Sequence, residues 1–532
     1  MRNKILILLF VGIAFSCDDS KYDELNTDTK NPAEVPGVTL FTNGMREMFD
    51  MMVNTNVNEN VFRLYAQYWA QTTYPEESAY NQVTREIPDN IWSNAYRDAL
   101  KDMTEGRAKM EANPEAGISD AHQANRLAVI DINIAFTYSV LLDLFGNVPF
   151  DDALNPDNVT PTYEDGKTAY DKVITMLNTS ISTLDESEGG IQSDQDLVFG
   201  GDVAGWKKFA NSLKLRMAMN YADTDMAKAQ SMVTEALASG VILAIEDNTS
   251  LWYLGASPNT NPLYEDLVQS GRKDFVVANT LVDKLNDLGD PRMFTYATDP
   301  IPFPYETNAQ GAKIDSVVAD GAGMFVIYED VNGDDSVTWN ATPFTVYAAD
   351  SVRSPAIFQG GIYGTANAHA GNSHIGTMMF EPDLPGTIFS CSEVYFLLAE
   401  AAERGITDLD MTAEEYYNMG ITASFNEWGV SGASDYIASP DVAYGTAAGN
   451  WKQKIGTQAW LANYNRGIEG WTTWRRLDFT GFNPPPDMVA ADIPTRLLFP
   501  AREATLNGAN YDAAGTAIGG DTKTTKLWWD KN

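Results

Sequence analysis

Apolar positions along this chain recur mostly at steps of three and four. Between Thr162 and Leu184 they fall at Tyr170, Val173, Ile174, Leu177, Ile181 and Leu184, one stripe along a helix. Leu127, Ile130, Ile134, Tyr138, Leu141 and Phe145 make a second stripe. Gly146 closes it, the residue type favoured just past a last helical turn. Trp206, Phe209, Leu213, Met217 and Tyr221 make a third. Thr162 with Asp165, Ser390 with Glu393 and Thr412 with Glu415 have the spacing of a capping box. The second of these leads through Val394, Leu397, Leu398 and Ala401 to Gly405, and the third through Tyr416, Ile421 and Phe425. Gln453–Ala462 and Tyr65–Gln71 predict two further helices. Each stripe has to be buried against a neighbour, so the expected fold is all-α dominated, a stack of helix hairpins. No repeat of about 34 residues is regular enough to define a solenoid from sequence.

Residues 245–265 and 295–390 break this pattern. They are rich in Pro, Gly, Asn and Thr, with scattered aromatics, and fragments such as Met324–Tyr328 and Phe344–Tyr347 predict short strands. Loops this long inside a compact domain are usually functional. No Ser/Pro linker or charge block divides the chain. Residues 31–532 therefore read as one helical scaffold with an irregular lobe, mainly from 245–390.

Charge and the N-terminus narrow the setting. Lys and Arg number 36 against 73 Asp and Glu, a formal net charge of -37. That surface repels phosphate, which excludes nucleic acid and leaves little attraction to anionic headgroups. Residues 1–16 combine a basic start, Arg2 and Lys4, with an apolar run from Ile5 to Ala14, the pattern of a secretory signal. Cys17 follows at once, so it is the expected site of lipidation, although the place three before it holds Ala14 rather than the usual Leu. An ordinary cleaved signal is the other reading. The acidic stretch in 17–30, with Asp18, Asp19, Asp23 and Glu24, suits a tether exported to the cell surface. With Cys17 lipidated, Cys391 has no disulfide partner and is expected to be a buried thiol. Of the three His, only His369 and His374 share a loop, a weak basis for a metal site.

Several motifs then appear in order. Asp143-Leu144-Phe145-Gly146-Asn147-Val148-Pro149-Phe150 is a turn, and Trp206 to Arg216 reads WKKFANSLKLR. Glu393 to Ala401 reads EVYFLLAEA. Toward the end come Glu469-Gly470-Trp471, Trp474-Arg475-Arg476, Arg496 to Pro500, Glu503, Asn507 and Tyr511. Together these resemble the SusD/RagB family of surface nutrient-binding lipoproteins, and Tyr65 to Gln71 (YAQYWAQ) resembles its SusD-like 2 branch. The resemblance implies tetratricopeptide-like helix pairs beside an irregular ligand-binding lobe. It implies a protein at the cell surface, lipid-anchored in the outer membrane, that forms the lid of a SusC-like TonB-dependent transporter. It also implies capture of an oligosaccharide without turnover; a peptide or glycopeptide is the alternative ligand, and a secreted glycoside hydrolase with paired carboxylates the alternative from another class. The motif residues Trp206, Asn211, Arg216, Trp474, Arg475, Arg476 and Glu503 fall on or beside apolar stripes and are expected to be structural.

Ligand is expected at loop aromatics near amides, because sugar C–H faces stack on flat rings and hydroxyls need polar partners. Tyr74, Tyr80 and Asn81 form one such cluster, Trp252 and Tyr253 a second, Tyr363 and Asn367 a third. Asp330, Asn332 and Asp334 begin a pattern like a calcium loop, but Asp335 and Ala341 occupy the places that need Gly and a bidentate acid. A hairpin turn on Asn332-Gly333 explains the same residues, and no cofactor is expected beyond that possible calcium ion.

Overall fold

The computed structural model describes residues 35–298 and 358–531, with the backbone of strands Ile314–Asp320, Gly323–Tyr328, Trp339–Asn340 and Val346–Tyr347. The leader, Cys17, the acidic tether, and Asp330, Asn332 and Asp334 lie outside the described residues.

The scaffold is carried by α1 (Gly37–Val53), α2 (Lys101–Ala112), α3 (Asp120–Phe145), α4 (Gly166–Thr183), α5 (Val203–Tyr221), α6 (Met226–Ser239), α7 (Asn279–Leu288), α8 (Cys391–Glu403), α9 (Ala413–Glu427), α10 (Trp451–Ala462) and α11 (Gly467–Leu477). Neighbours in sequence pack as pairs: α3 with α4, α5 with α6, α8 with α9, α10 with α11. The pairs stack through α3–α5, α5–α8 and α8–α10, which makes one continuous core. This is the helix-pair architecture that the stripes predict, since each stripe buries against the next. α3 is 26 residues long with a mean hydropathy of 1.7, long and apolar enough to cross a membrane, but 89% of its apolar stretch is buried inside the protein.

Helix starts follow local capping chemistry. Ser119, Asp165, Asp202, Ser390, Thr412 and Asn450 each accept a backbone N–H from the first turn of α3, α4, α5, α8, α9 and α10. Thr412 and Glu415 close the expected capping box. The other two predicted boxes resolve differently. α4 begins after Asp165, not Thr162, because Tyr163–Glu164 pairs as a strand with Val148–Pro149. Glu393 turns its carboxylate to Arg216, a buried partner worth more than a surface cap.

The predicted Tyr65–Gln71 helix is also corrected. The helix covers only Phe62–Tyr65, and the chain then turns at Gln67 into β1 (Trp69–Gln71). Gln67 takes φ 57°, unfavourable for a side-chain-bearing residue, but it is buried and fully satisfied. Its Nε2 donates to Tyr80 and to the Asn483 carbonyl, and its Oε1 accepts from Thr280 and the Asn483 N–H. These long-range bonds outweigh local helix preference.

The lobe is laced to the scaffold by short antiparallel pairs. β1 pairs with β3 (Phe275–Val277), β2 (Thr249–Leu251) with β6 (Gly386–Phe389), and β4 (Ala297–Thr298) with β5 (His374–Ile375). The expected strand at Met324–Tyr328 lies in Gly323–Tyr328, paired with Ile314–Asp320. Val346–Tyr347 pairs with Trp339–Asn340, while Phe344 and Thr345 lie outside the described residues.

Candidate functional site

Alternation along one extended segment creates the site. From β2 onward, Leu251 is 2% exposed, Trp252 64%, Tyr253 6% and Leu254 58%. Successive side chains in an extended chain point to opposite faces. Leu251 and Tyr253 therefore enter the core, and Trp252 and Leu254 face outward. Tyr253 locks the register, donating its hydroxyl to Asp50 Oδ1 of α1 at 2.6 Å. Burial raises the Tyr253 hydroxyl well above its ordinary range, and the Asp50 carboxylate raises it further, so it remains a donor. Gly386 on β6 permits this approach, because a Cβ there would lie 2.9 Å from the Tyr253 ring. Ser250 and Thr387 face each other across the strand pair, hydroxyl to hydroxyl, at 2.8 Å.

Trp252 stands on the wall of a cleft of about 310 Å³. Apolar surface comes from Phe199, Ile245, Met378, Leu384 and Pro385, polar groups from Glu246, Asn248, Ser250 and Thr387. The floor comes from the ends of scaffold helices, with Glu427 and Trp428 at the end of α9 and Asn465 and Arg466 before α11. Arg466 binds Glu427 at 2.5 Å and the Ala462 carbonyl at 2.9 Å, so the floor charge is paired. Burial alone would push the Arg466 guanidinium down, yet Glu427 beside it leaves it above its ordinary range. Asn248 is fixed by accepting the Cys391 N–H at 2.8 Å. An exposed indole beside fixed amides, hydroxyls and a carboxylate has the composition of a ligand cleft, apolar with a few placed polar groups. It can stack one sugar face and bind the hydroxyls around its edge.

The remaining predicted residues fall elsewhere. Tyr74 is exposed at 67% in the loop after β1. Asn81 serves its own turn, accepting the N–H groups of Val83 and Thr84 and donating to the Thr84 hydroxyl. Tyr80 and Tyr363 are buried against each other with ring centroids 6.0 Å apart. Asn367 is buried and its amide donates to the carbonyls of Gln71, Ile362 and Thr365. Tyr80, Tyr253, Tyr363 and Asn367 thus have their ring faces or amides occupied by protein and hold the loops in shape. Sequence reasoning missed Glu427, Asn465 and Arg466, which lie in or beside helices far from the loop clusters. No local signal marks them, because only packing of α9 and α11 against the lobe brings them to the cleft. Among the described residues, no group of three His, Cys, Asp or Glu is placed to hold a metal ion.

The motif residues are structural, as expected. Trp206 donates its N–H to Asp196 at 2.7 Å, and Arg216 grips Glu393 at 2.7 and 2.9 Å. Arg476 binds Glu400 at 2.9 Å, and Glu503 accepts the Tyr163 hydroxyl at 3.0 Å.

The family model for SusD-like proteins, described as starch-binding and associating with the outer membrane, matches residues 29–319 and 342–500. The chain therefore belongs to the SusD-like family. Among solved structures it is similar to a chitin-binding protein, with 24% identity, 93% of this chain and 100% of that one covered, and a TM-score of 0.71. A chitin-binding SusD homologue from Flavobacterium johnsoniae matches at 23% identity, covering 92% and 98%, with a TM-score of 0.68. A SusD homologue from Bacteroides thetaiotaomicron matches at 22%, covering 94% and 100%, with a TM-score of 0.68. These likenesses establish the shared fold. No curated protein matches the chain.

Proposed function

We propose that this chain is a glycan-binding lipoprotein of the outer cell surface, anchored through Cys17. It captures an oligosaccharide and, as a lid, delivers it to a SusC-like TonB-dependent transporter. The observation that carries this reading is Trp252, an indole 64% exposed on a cleft wall. Large aromatics are costly to leave in water, and this one is presented by a register that Tyr253 locks from behind. The family description supports a starch-like or related polysaccharide, and two neighbours of the same fold carry chitin-binding names.

Binding occurs without turnover. Of the two carboxylates that line the cleft, Glu246 and Glu427, Glu427 is paired with Arg466, which leaves it poorly placed to give or take a proton. Isothermal titration with malto- and chito-oligosaccharides on wild type and Trp252→Ala tests the reading. Covering about 80 Å² of indole at about 25 cal/mol per Å² is worth about 2 kcal/mol, so Trp252→Ala should weaken binding about 30-fold. Release of shortened sugars would favour a hydrolase, and heat only with peptides would favour the peptide lid. Unchanged glycan affinity in Trp252→Ala would refute the assignment of the cleft.

A further inference from the structure

A second cleft, of about 520 Å³, opens on the other side of the short turn Thr377–Phe380. Met378 of that turn walls the Trp252 cleft, while Thr377 and Phe380 wall the second. The two share a partition, but their chemistry differs. Phe275 and Phe380 supply apolar surface in the second cleft, and Arg272, Lys273, His369 and His374 also line it. The acidic group on its wall is Asp274, which holds Arg272 through Nε at 2.9 Å. In a chain with 73 acidic and 36 basic residues, a cleft wall where basic groups outnumber acidic ones stands against the average surface. His369 and His374 are two of the chain's three His, and their rings stack with centroids 3.8 Å apart. His374 Nε2 donates to the His369 carbonyl at 3.0 Å, which holds the two rings together. The cleft volume falls in the range of ordinary ligand sites.

The support is rigid where it needs to be. β3 carries Phe275 and pairs with β1, and β5 carries His374 and pairs with β4. Thr72 donates its N–H to the Asp274 carbonyl at 2.9 Å and its hydroxyl to the Lys273 carbonyl at 2.6 Å. That fastens the loop bearing the exposed Tyr74 beside the same two residues.

We infer that this second cleft binds the anionic substituent of an acidic glycan, a sugar carboxylate or sulfate, at Arg272 and Lys273, beside the stacked rings of His369 and His374. The chemistry follows from the donors: a guanidinium and an ammonium recognise such oxyanions through charge-assisted bonds. Phe275 and Phe380 offer an apolar surface for the ring that bears the charge. The inference rests on the glycan-binding reading, but on residues separate from Trp252.

Titration of galacturonate and heparin-derived oligosaccharides, with neutral chito-oligosaccharides beside them, tests it on wild type, Arg272→Glu/Lys273→Glu and Trp252→Ala. Arg272 is 70% exposed and Lys273 is exposed, so the charge reversal leaves the core intact. At least one acidic oligosaccharide should bind wild type and lose about tenfold or more in the charge-reversed protein. Its affinity should also fall as salt rises from low to physiological strength. Neutral sugars should be unaffected by the reversal and weakened by Trp252→Ala. If no acidic oligosaccharide binds, or if charge reversal leaves its affinity unchanged, the inference is overturned. Loss of neutral binding in Trp252→Ala under those conditions would show that the glycan reading itself survives. A response to galacturonate alone identifies the carboxylate, and to the heparin fragment alone the sulfate.

Discussion

Glu469 on α11 sits 7% exposed in the middle of the scaffold, with Arg216 of α5 at 3.1 Å. The same guanidinium holds both oxygens of Glu393 and lies 3.8 Å from the centre of the Phe389 ring. Burial raises the Glu469 carboxyl most, Arg216 lowers it, Glu393 and Asp143 raise it again, and Arg476 lowers it. The balance leaves it at about 7 against an ordinary 4.5. A void of about 10 Å³ beside it is bordered by Glu393, Glu400 and Arg476, room for about one water. A carboxyl raised by folding contributes stability that is complete below its unfolded pKa and lost as pH climbs through the folded one. Here the window runs from about 4.5 to about 7. At about 1.4 kcal/mol per pH unit, the loss reaches about 3 kcal/mol. Glu469→Gln keeps the shape and removes the titration. Urea unfolding of both proteins across that range should show wild type losing about 3 kcal/mol relative to the variant. A difference that stays constant with pH would refute the account of how this core carboxylate is held.

Other outcomes follow from single contacts. Tyr253→Phe removes the bond to Asp50 and should cost about 1–3 kcal/mol of stability, measured by denaturant unfolding, because Asp50 loses a buried donor. The same variant should weaken glycan binding less than Trp252→Ala, since its ring still fills the core. Burial pushes the Cys391 thiol up to about 12, with Glu427 adding to the rise, so the folded protein should resist a disulfide reagent at neutral pH and react only on unfolding. Rapid labelling of native protein would contradict that. Gly376→Ala places a Cβ 1.8 Å from the Thr295 carbonyl oxygen. It should destabilise β5 and the partition between the two clefts, read as faster amide exchange at position 376, whose N–H bonds the Tyr296 carbonyl at 2.9 Å.

The helical scaffold was legible because helix chemistry is local. Stripes at steps of three and four name the buried faces of α3, α4, α5, α8 and α9, and Thr412 and Glu415 mark the start of α9 to the residue. The boundaries that moved were those where a distant partner competed. Tyr163 left its helix for a strand partner at Val148–Pro149, and Gln67 left its own for Thr280 and Asn483. The candidate site was legible only in part. An aromatic beside Asn, Asp or Gln in a loop marks a stacking platform only if it faces outward. Trp252 and Tyr253 are adjacent in sequence and opposite in fate.

By itself, the amino-acid order determined the helices, the acidic surface, the N-terminal signal pattern and, through its motifs, the family. All of these are written in spacings of a few residues or in composition, which survive without knowledge of the partner across the fold. Tertiary structure alone decided which aromatic faces outward and which is buried. It also decided that Glu427 and Arg466 floor the first cleft, and that Arg272, Lys273, His369 and His374 share the second. Those juxtapositions join residues tens to more than a hundred positions apart, through strand pairings of two to four residues too short to leave a pattern of their own.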